Sequence, residues 1–257
     1  MSQIDDSATA YAKLLPDYEA FSIKMRSLIE DLVRSRSIHF QIIESRAKTL
    51  ASFEEKVARP GKSYTNAIDE ISDLCGCRVI TYYLEDVKLV SDILKSEFHV
   101  LEEELSHQPP ALQADRFGYL SAHYVVKLNE ERANLTEWAS YKSFRAEIQI
   151  RTVIQHAWSA VSHALQYKAE TEVPSALRRR LYRIAGLFEL ADEEFGSIRD
   201  QRISLRKSAS KAIAAGEKNI SLSNASITEF LNSWTRRPFV IRSAQEAGFS
   251  VDQSAGE

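Results

Sequence analysis

Apolar residues near the start of the chain keep a helical rhythm: Leu14, Tyr18, Phe21, Met25, Leu28 and Leu32 stand at alternating steps of four and three. That spacing places them on one stripe of a helix, turned to the core. A second helix is predicted from about residue 38 to 57, with Ile43, Leu50, Phe53 and Val57 inward, ended by Arg59-Pro60-Gly61 because proline cannot continue it. The rhythm then changes. Residues 78–83, 121–128 and 145–151 are rich in β-branched and aromatic side chains and read as strands. Between the first two, Val87, Val90, Ile93 and Leu94 return to helical spacing, so a helix crosses over the sheet, and residues 98–101 read as a short further strand.

Beyond residue 152 the pattern is helical to about 168, breaks at Pro174, and resumes with Leu177, Leu181, Ile184, Phe188, Ala191, Phe195 and Ile198, again by fours and threes. Each terminal helix thus owns a narrow apolar seam, able to pack against the other beside the sheet or to join a second subunit in a homo-oligomer. Ile227, Phe230, Leu231 and Trp234 predict one more short helix before a polar tail. These elements give an α/β (α+β) chain with N-terminal helices over 1–58, a core over 59–170, a helical extension over 171–215 and a short helix with a tail over 216–257.

Composition narrows the class. With 257 residues, 44% hydrophobic and 27% charged, the chain can build one elaborated domain or two and lacks the bias of a disordered or collagen-like polymer. Its 33 basic and 36 acidic residues leave a net charge of -3, so no overall basic field draws it to nucleic acid. Cys75 and Cys77 flank Gly76 on a strand whose alternation is expected to send them to opposite faces, awkward for a bridge, so a reducing compartment is expected. No apolar run approaches the roughly 18 residues of a membrane span, and the first residues lack a secretion signal. A cytoplasmic protein without a membrane partner is expected.

Candidate chemistry concentrates in the middle. Strict alternation in the last strand places Glu147, Gln149 and Arg151 on one face and Ile148 and Ile150 on the other. Such a polar face is either open to water or a carboxylate held rigidly beside a donor and a cation, which suits a metal–phosphate site. Asp73 falls where a helix of about 64–74 gives way to the turn at Gly76. It either solvates that helix end or joins Glu147 in holding Mg²⁺. Tyr119, Ser121 and His123 share a face beside Gly118, and a tyrosine there is either a packing residue or a platform for a base. His156, His163 and Tyr167 recur on one helix without the cysteines or carboxylates of a zinc site. The basic residues Arg199, Arg202, Arg206 and Lys207 read as a solvated helix surface, with RNA binding as the alternative. No Ser–His–Asp arrangement is apparent.

Taken in order, residues 73–80 (DLCGCRVI), 117–123 (FGYLSAH), 147–152 (EIQIRT), Trp158 to His163, and Tyr167-Lys168 resemble the synthetase domain of the RelA/SpoT homologue family, as found in small stand-alone alarmone synthetases. The resemblance covers roughly 59–168. It implies a nucleotidyltransferase-like mixed sheet of about five strands flanked by helices. It also implies transfer of the β,γ-pyrophosphate of ATP to the 3′-hydroxyl of GDP or GTP, giving (p)ppGpp and AMP. Asp73 and Glu147 would then hold Mg²⁺, with Glu147 accepting the hydroxyl proton. Arg59 and Arg78 would sandwich the adenine, with Lys62 near its phosphates. Tyr119 would stack on the acceptor base, His123 would contact acceptor phosphates, and Gln149 and His156 would lie around the acceptor. Where the family often has basic residues this chain has Glu70, Asp115 and Leu120, which removes positive charge near phosphates. Toxic relatives that modify the 3′-CCA end of tRNA or adenine nucleotides, and a non-catalytic nucleotide-binding module, are the alternatives the resemblance leaves.

Overall fold

The computed structural model describes residues 3–105, 121–166, 175–217 and 220–249. The chain divides into two compact units, Met1–Glu193 and Glu194–Glu257. The first holds α1 (Gln3–Ser35), β1 (Phe40–Ala47), α2 (Leu50–Val57), α3 (Ala67–Glu70), β2 (Cys75–Thr81), α4 (Leu84–Glu97), β3 (Phe98–Leu105), β4 (Ala122–Leu128), α5 (Glu130–Ala133), β5 (Ala146–Thr152) and α6 (Val153–Gln166). The long α7 (Ser175–Ala214) begins in the first unit and ends in the second, where α8 (Asn224–Ser233) and α9 (Arg237–Glu246) follow. Among the described residues no helix is long and apolar enough to cross a membrane.

Five strands form one mixed sheet in the order β1-β2-β5-β4-β3. The β2–β5 pair is parallel and the others are antiparallel. The parallel pair needs a long crossover, and α4 lies within the connection. Alternation sorts the faces. Cys75, Cys77 and Val79 of β2, Tyr124 and Val126 of β4, and Ala146, Ile148 and Ile150 of β5 join one core with Tyr11, Tyr18, Phe21, Met25, Ile29 and Val33 of α1 and Val87, Val90 and Leu94 of α4. Gly76, Arg78, His123, Glu147, Gln149 and Arg151 are only half-buried on the opposite face.

The predicted second helix is corrected in its first half, since residues 40–47 pair with β2 as an edge strand and only Leu50–Val57 is helical. Thr49 caps that helix by accepting from the Ser52 amide, which marks where strand yields to helix. The helix expected over 64–74 shrinks to α3 and a 3₁₀ turn, Ser72–Leu74. The expected strand at 98–101 runs on to Leu105, and α9 went unpredicted. Cys75 and Cys77 share one buried face rather than opposite ones, because residues two apart on a strand point the same way, and both thiols are free. Tyr18, Phe21 and Met25 of the α1 seam are buried and Leu14, Leu28 and Leu32 half-buried, whereas Ile184, Phe195 and Ile198 of the α7 seam are exposed.

Candidate active site

The strand register assembles the site. Arg46 lies opposite Gly76 and Glu44 opposite Arg78 between β1 and β2, while Gly76 lies beside Glu147 and Arg78 beside Gln149 between β2 and β5. His123 of β4 stands next to Gln149. A cavity of about 300 Å³ opens over these rows, lined by Glu44, Ser45, Arg46, Asp73, Gly76, Cys77, Arg78, Glu147 and Gln149. The two carboxylates singled out in the sequence therefore face one space. Gly76 matters here by having no side chain, which keeps the floor between Arg46 and Glu147 open.

Asp73 sits in the 3₁₀ turn just before β2, where it meets two ammonium groups. Lys48 Nζ lies 2.8 Å from Oδ2 and Lys56 Nζ donates to Oδ1 at 2.8 Å. Burial pushes the Asp73 carboxyl up, but the hydrogen bonds and charges of Lys48 and Lys56 prevail and hold it below the usual carboxylate range. Lys48 is itself fixed at its backbone, with its amide donating to Leu74 O at 2.9 Å and its carbonyl accepting from the Tyr11 hydroxyl at 2.6 Å. Tyr11 is fully buried and stacks on Phe53, with centroids 4.4 Å apart, so the α1 core holds this corner of the site.

Glu147 accepts from Gln149 Nε2 at 2.9 Å through Oε1, and His123 Nδ1 faces that oxygen at 3.8 Å. Burial lowers the His123 pKa, with Glu147 acting against it and Arg151 with it. Arg151 donates to Ser159 Oγ at 2.6 Å. Its pKa is lowered by burial and then by Arg78, and that of His156 by burial, Arg78 and Arg151. The Nε atoms of Arg78 and Arg151 and Nδ1 of His156 are buried and have no hydrogen-bond partner among the described residues. Arg46 and Arg78 make one side of the cavity cationic, which suits an anion.

Arg59 and Lys62 are not among the cavity-lining residues. They occupy an exposed turn around Gly61, whose φ of 81° is the left-handed conformation that glycine adopts freely, and Arg59 pairs at 4.0 Å with Glu55. The second arginine over the cavity is Arg46, and the nearby lysines are Lys48 and Lys56. Sequence reasoning missed Arg46 and Lys48 because they lie on or beside a strand taken for a helix, and Lys56, on the part correctly expected to be helical, because its partner Asp73 is distant in sequence. Glu70 faces the amides of Thr65 and Asn66 at 2.8 and 2.7 Å and caps α3. Tyr119, Asp115, Leu120 and Tyr167 lie outside the described residues, and the side chain of His163 is likewise not described.

Two carboxylates with hard oxygen donors on one cavity fit Mg²⁺, which binds few protein oxygens and completes its shell with phosphate and water. Among the described residues no three His, Cys, Asp or Glu side chains gather as a self-sufficient metal cage.

A mixed five-stranded sheet flanked by helices, with this cavity over its polar face, is a nucleotidyltransferase-like fold. Residues 45–172 match the region found in RelA / SpoT proteins, and the chain belongs to the RelA/SpoT family. It is 26% identical over 198 residues to the GTP pyrophosphokinase YjbM of Bacillus subtilis (strain 168), covering 72% of this chain and 89% of that protein. A GTP pyrophosphokinase family protein from Streptococcus pneumoniae superposes with a TM-score of 0.59 at 28% identity, over 78% of this chain and 95% of that one. The small alarmone synthetase 1 from Bacillus subtilis, solved bound to its product pppGpp, shares the fold with a TM-score of 0.59 at 23% identity, over 75% of this chain and 98% of that one.

Proposed function

We propose that the chain is a (p)ppGpp synthetase, a GTP pyrophosphokinase that moves the β,γ-pyrophosphate of ATP onto the ribose 3′-hydroxyl of GDP or GTP. The observation that carries the reading is the meeting of Asp73 and Glu147 in one cavity, ringed by Arg46, Arg78, Lys48 and Lys56. Its support is the likeness to YjbM and the shared fold with a protein that binds pppGpp.

The reaction needs alignment and charge neutralisation rather than a covalent intermediate. Glu147 takes the 3′-hydroxyl proton as that oxygen bonds to the β-phosphorus. The bond from the β-phosphorus to its bridging oxygen breaks, and AMP leaves with the electron pair. Gln149 keeps the Glu147 carboxylate in place through Oε1. Arg46 and Arg78 present planar guanidinium groups that can clasp the adenine of ATP. Lys48 and Lys56 neutralise its phosphates, exchanging Asp73 for phosphate oxygens when nucleotide enters. Asp73 and Glu147 would hold Mg²⁺, which when bound offsets the charge of the phosphates. Tyr119 and His123 serve the acceptor base and phosphates, and His156 adds a donor nearby.

Purified protein incubated with ATP labelled on its γ-phosphate, Mg²⁺ and separately GDP, GTP, ATP or tRNA tests this. Label on GDP and GTP with release of AMP is expected. Label on tRNA or on adenine nucleotide alone would replace the acceptor, and nucleotide binding without AMP would make the chain a non-catalytic module.

A further inference from the structure

Glu44 lines the cavity, yet the transfer chemistry gives it no part. Strand pairing places it directly opposite Arg78, with its Oε2 3.6 Å from Arg78 Nη1. At that length the two attract as charges rather than through a directed hydrogen bond. The register also sets what surrounds Arg78 on the cavity face. Arg46 lies diagonally across on β1, two residues from Glu44, and Arg151 diagonally across on β5, two residues from Gln149. Glu147 takes the other diagonal on β5, where Gln149 donates to its Oε1. Arg78 thus has two cations for neighbours, and among the described residues the ion pair it makes is with Glu44.

We infer that Glu44 is a positioning residue for the donor nucleotide: its charge holds the Arg78 guanidinium on the β1 side of the cavity, against the repulsion of Arg46 and Arg151, so that Arg46 and Arg78 take a purine ring between them. A guanidinium pairs through its edge and stacks through its face, so one group does both. The inference rests on the placement of ATP between the two arginines proposed above. It carries a sign of its own. An acidic side chain repels the phosphates of ATP, and its removal would by itself tighten binding. If Glu44 acts through Arg78, its removal weakens binding instead.

The test is a double-mutant cycle read by calorimetric titration with α,β-methylene ATP and Mg²⁺, a donor analogue that cannot release AMP. Glu44→Gln, which keeps the shape and removes the charge, should raise Kd about fivefold, the upper range for a partly exposed pair. Glu44→Asp keeps the charge and should stay within about twofold. Arg78→Ala alone should raise Kd about tenfold, and Glu44→Gln added to it should change Kd by less than about twofold, since the group it acts through is gone. In pyrophosphate transfer the KM for ATP should follow the same order, with the acceptor KM of Glu44→Gln within about twofold. A Kd unchanged or lowered by Glu44→Gln overturns the inference. So does an equal effect of Glu44→Gln with and without Arg78, a Kd unmoved by Arg78→Ala, or no binding of the analogue. Transfer by the unsubstituted protein together with any of these results leaves the synthetase reading standing without the positioning role. If the unsubstituted protein transfers no pyrophosphate while the cycle behaves as expected, the synthetase reading fails and the positioning role stands.

Discussion

Arginine 46 and arginine 59 show what a single side chain's setting decides. Both are cations in the same stretch of sequence, but Arg46 lines the cavity beside Arg78, and Arg59 stands on an exposed turn with Glu55. Arg46→Ala should raise the KM for ATP by about tenfold or more, as loss of a stacked or phosphate-facing arginine commonly does, while leaving the acceptor KM near its original value. Arg59→Ala should change both within about twofold, since an exposed pair contributes little. Steady-state kinetics with each substrate varied decides it, and the opposite ranking of the two variants would return Arg59 to the role the sequence first implied. At this scale Asp73, Glu147 and Gln149 were legible from the turn and the alternating strand that carry them, and Arg78 from the resemblance of residues 73–80 to the family. Lys48 and Lys56 were not, because their meaning comes from Asp73, which is distant in sequence and reached only by folding.

Elements explain the misreading of residues 38–57. Ile43, Leu50, Phe53 and Val57 do fall at helical intervals, but the first belongs to β1 and the others to α2. Strand pairing with β2 is non-local and overrides a local periodicity. The start of α6 was legible in principle, since Thr152 and Gln155 form the T-x-x-Q pattern of a reciprocal cap. The Thr152 amide donates to Gln155 Oε1 at 2.9 Å, and the Gln155 amide donates to Thr152 Oγ1 at 3.0 Å. The Thr152 hydroxyl donates in turn to Asp192 Oδ2 of α7 at 2.7 Å, which ties the end of β5 to the first part of that helix. Burial first, and the charge of Glu85 second, push the Asp192 pKa from 3.8 up to about 7. A raised carboxyl binds a proton in the folded chain that the unfolded chain has already released. Its contribution to stability is therefore complete below about pH 4, falls as the pH rises, and is lost above about pH 7. Asp192→Asn keeps an acceptor for Thr152 and removes the ionisation. Denaturant melts should show the variant gaining on the unsubstituted protein between pH 5 and 8, by about 1–3 kcal/mol at the upper end. A difference independent of pH would contradict the buried carboxyl.

For the molecule as a whole, every residue given a role in the chemistry lies in the unit Met1–Glu193, whereas Arg199, Arg202, Arg206 and Lys207 belong to the unit Glu194–Glu257. There Arg206 pairs with Glu229 and Arg199 with Asp200. Replacing the four basic residues with Ala should leave transfer to GDP or GTP within about twofold, and would abolish a salt-dependent transfer to tRNA if that were the activity. A collapse of free-nucleotide transfer in the folded variant would show that this unit takes part in the reaction. The overall class was legible because alternating and helical rhythms rarely imitate each other over whole strands and long helices. The order of the strands was not, because neighbours such as β2 and β5 are brought together by a crossover rather than by adjacency in the chain. The central claim is that Asp73 and Glu147 form one phosphoryl-transfer site. The most direct measurement follows AMP and the 3′-pyrophosphorylated guanine nucleotide together by ³¹P NMR, with ATP, GTP and Mg²⁺, for the unsubstituted protein, Asp73→Asn and Glu147→Gln. Equal amounts of the two products from the unsubstituted protein, and a loss of about a hundredfold or more in each folded variant, are predicted; near-normal turnover in either variant would contradict the account.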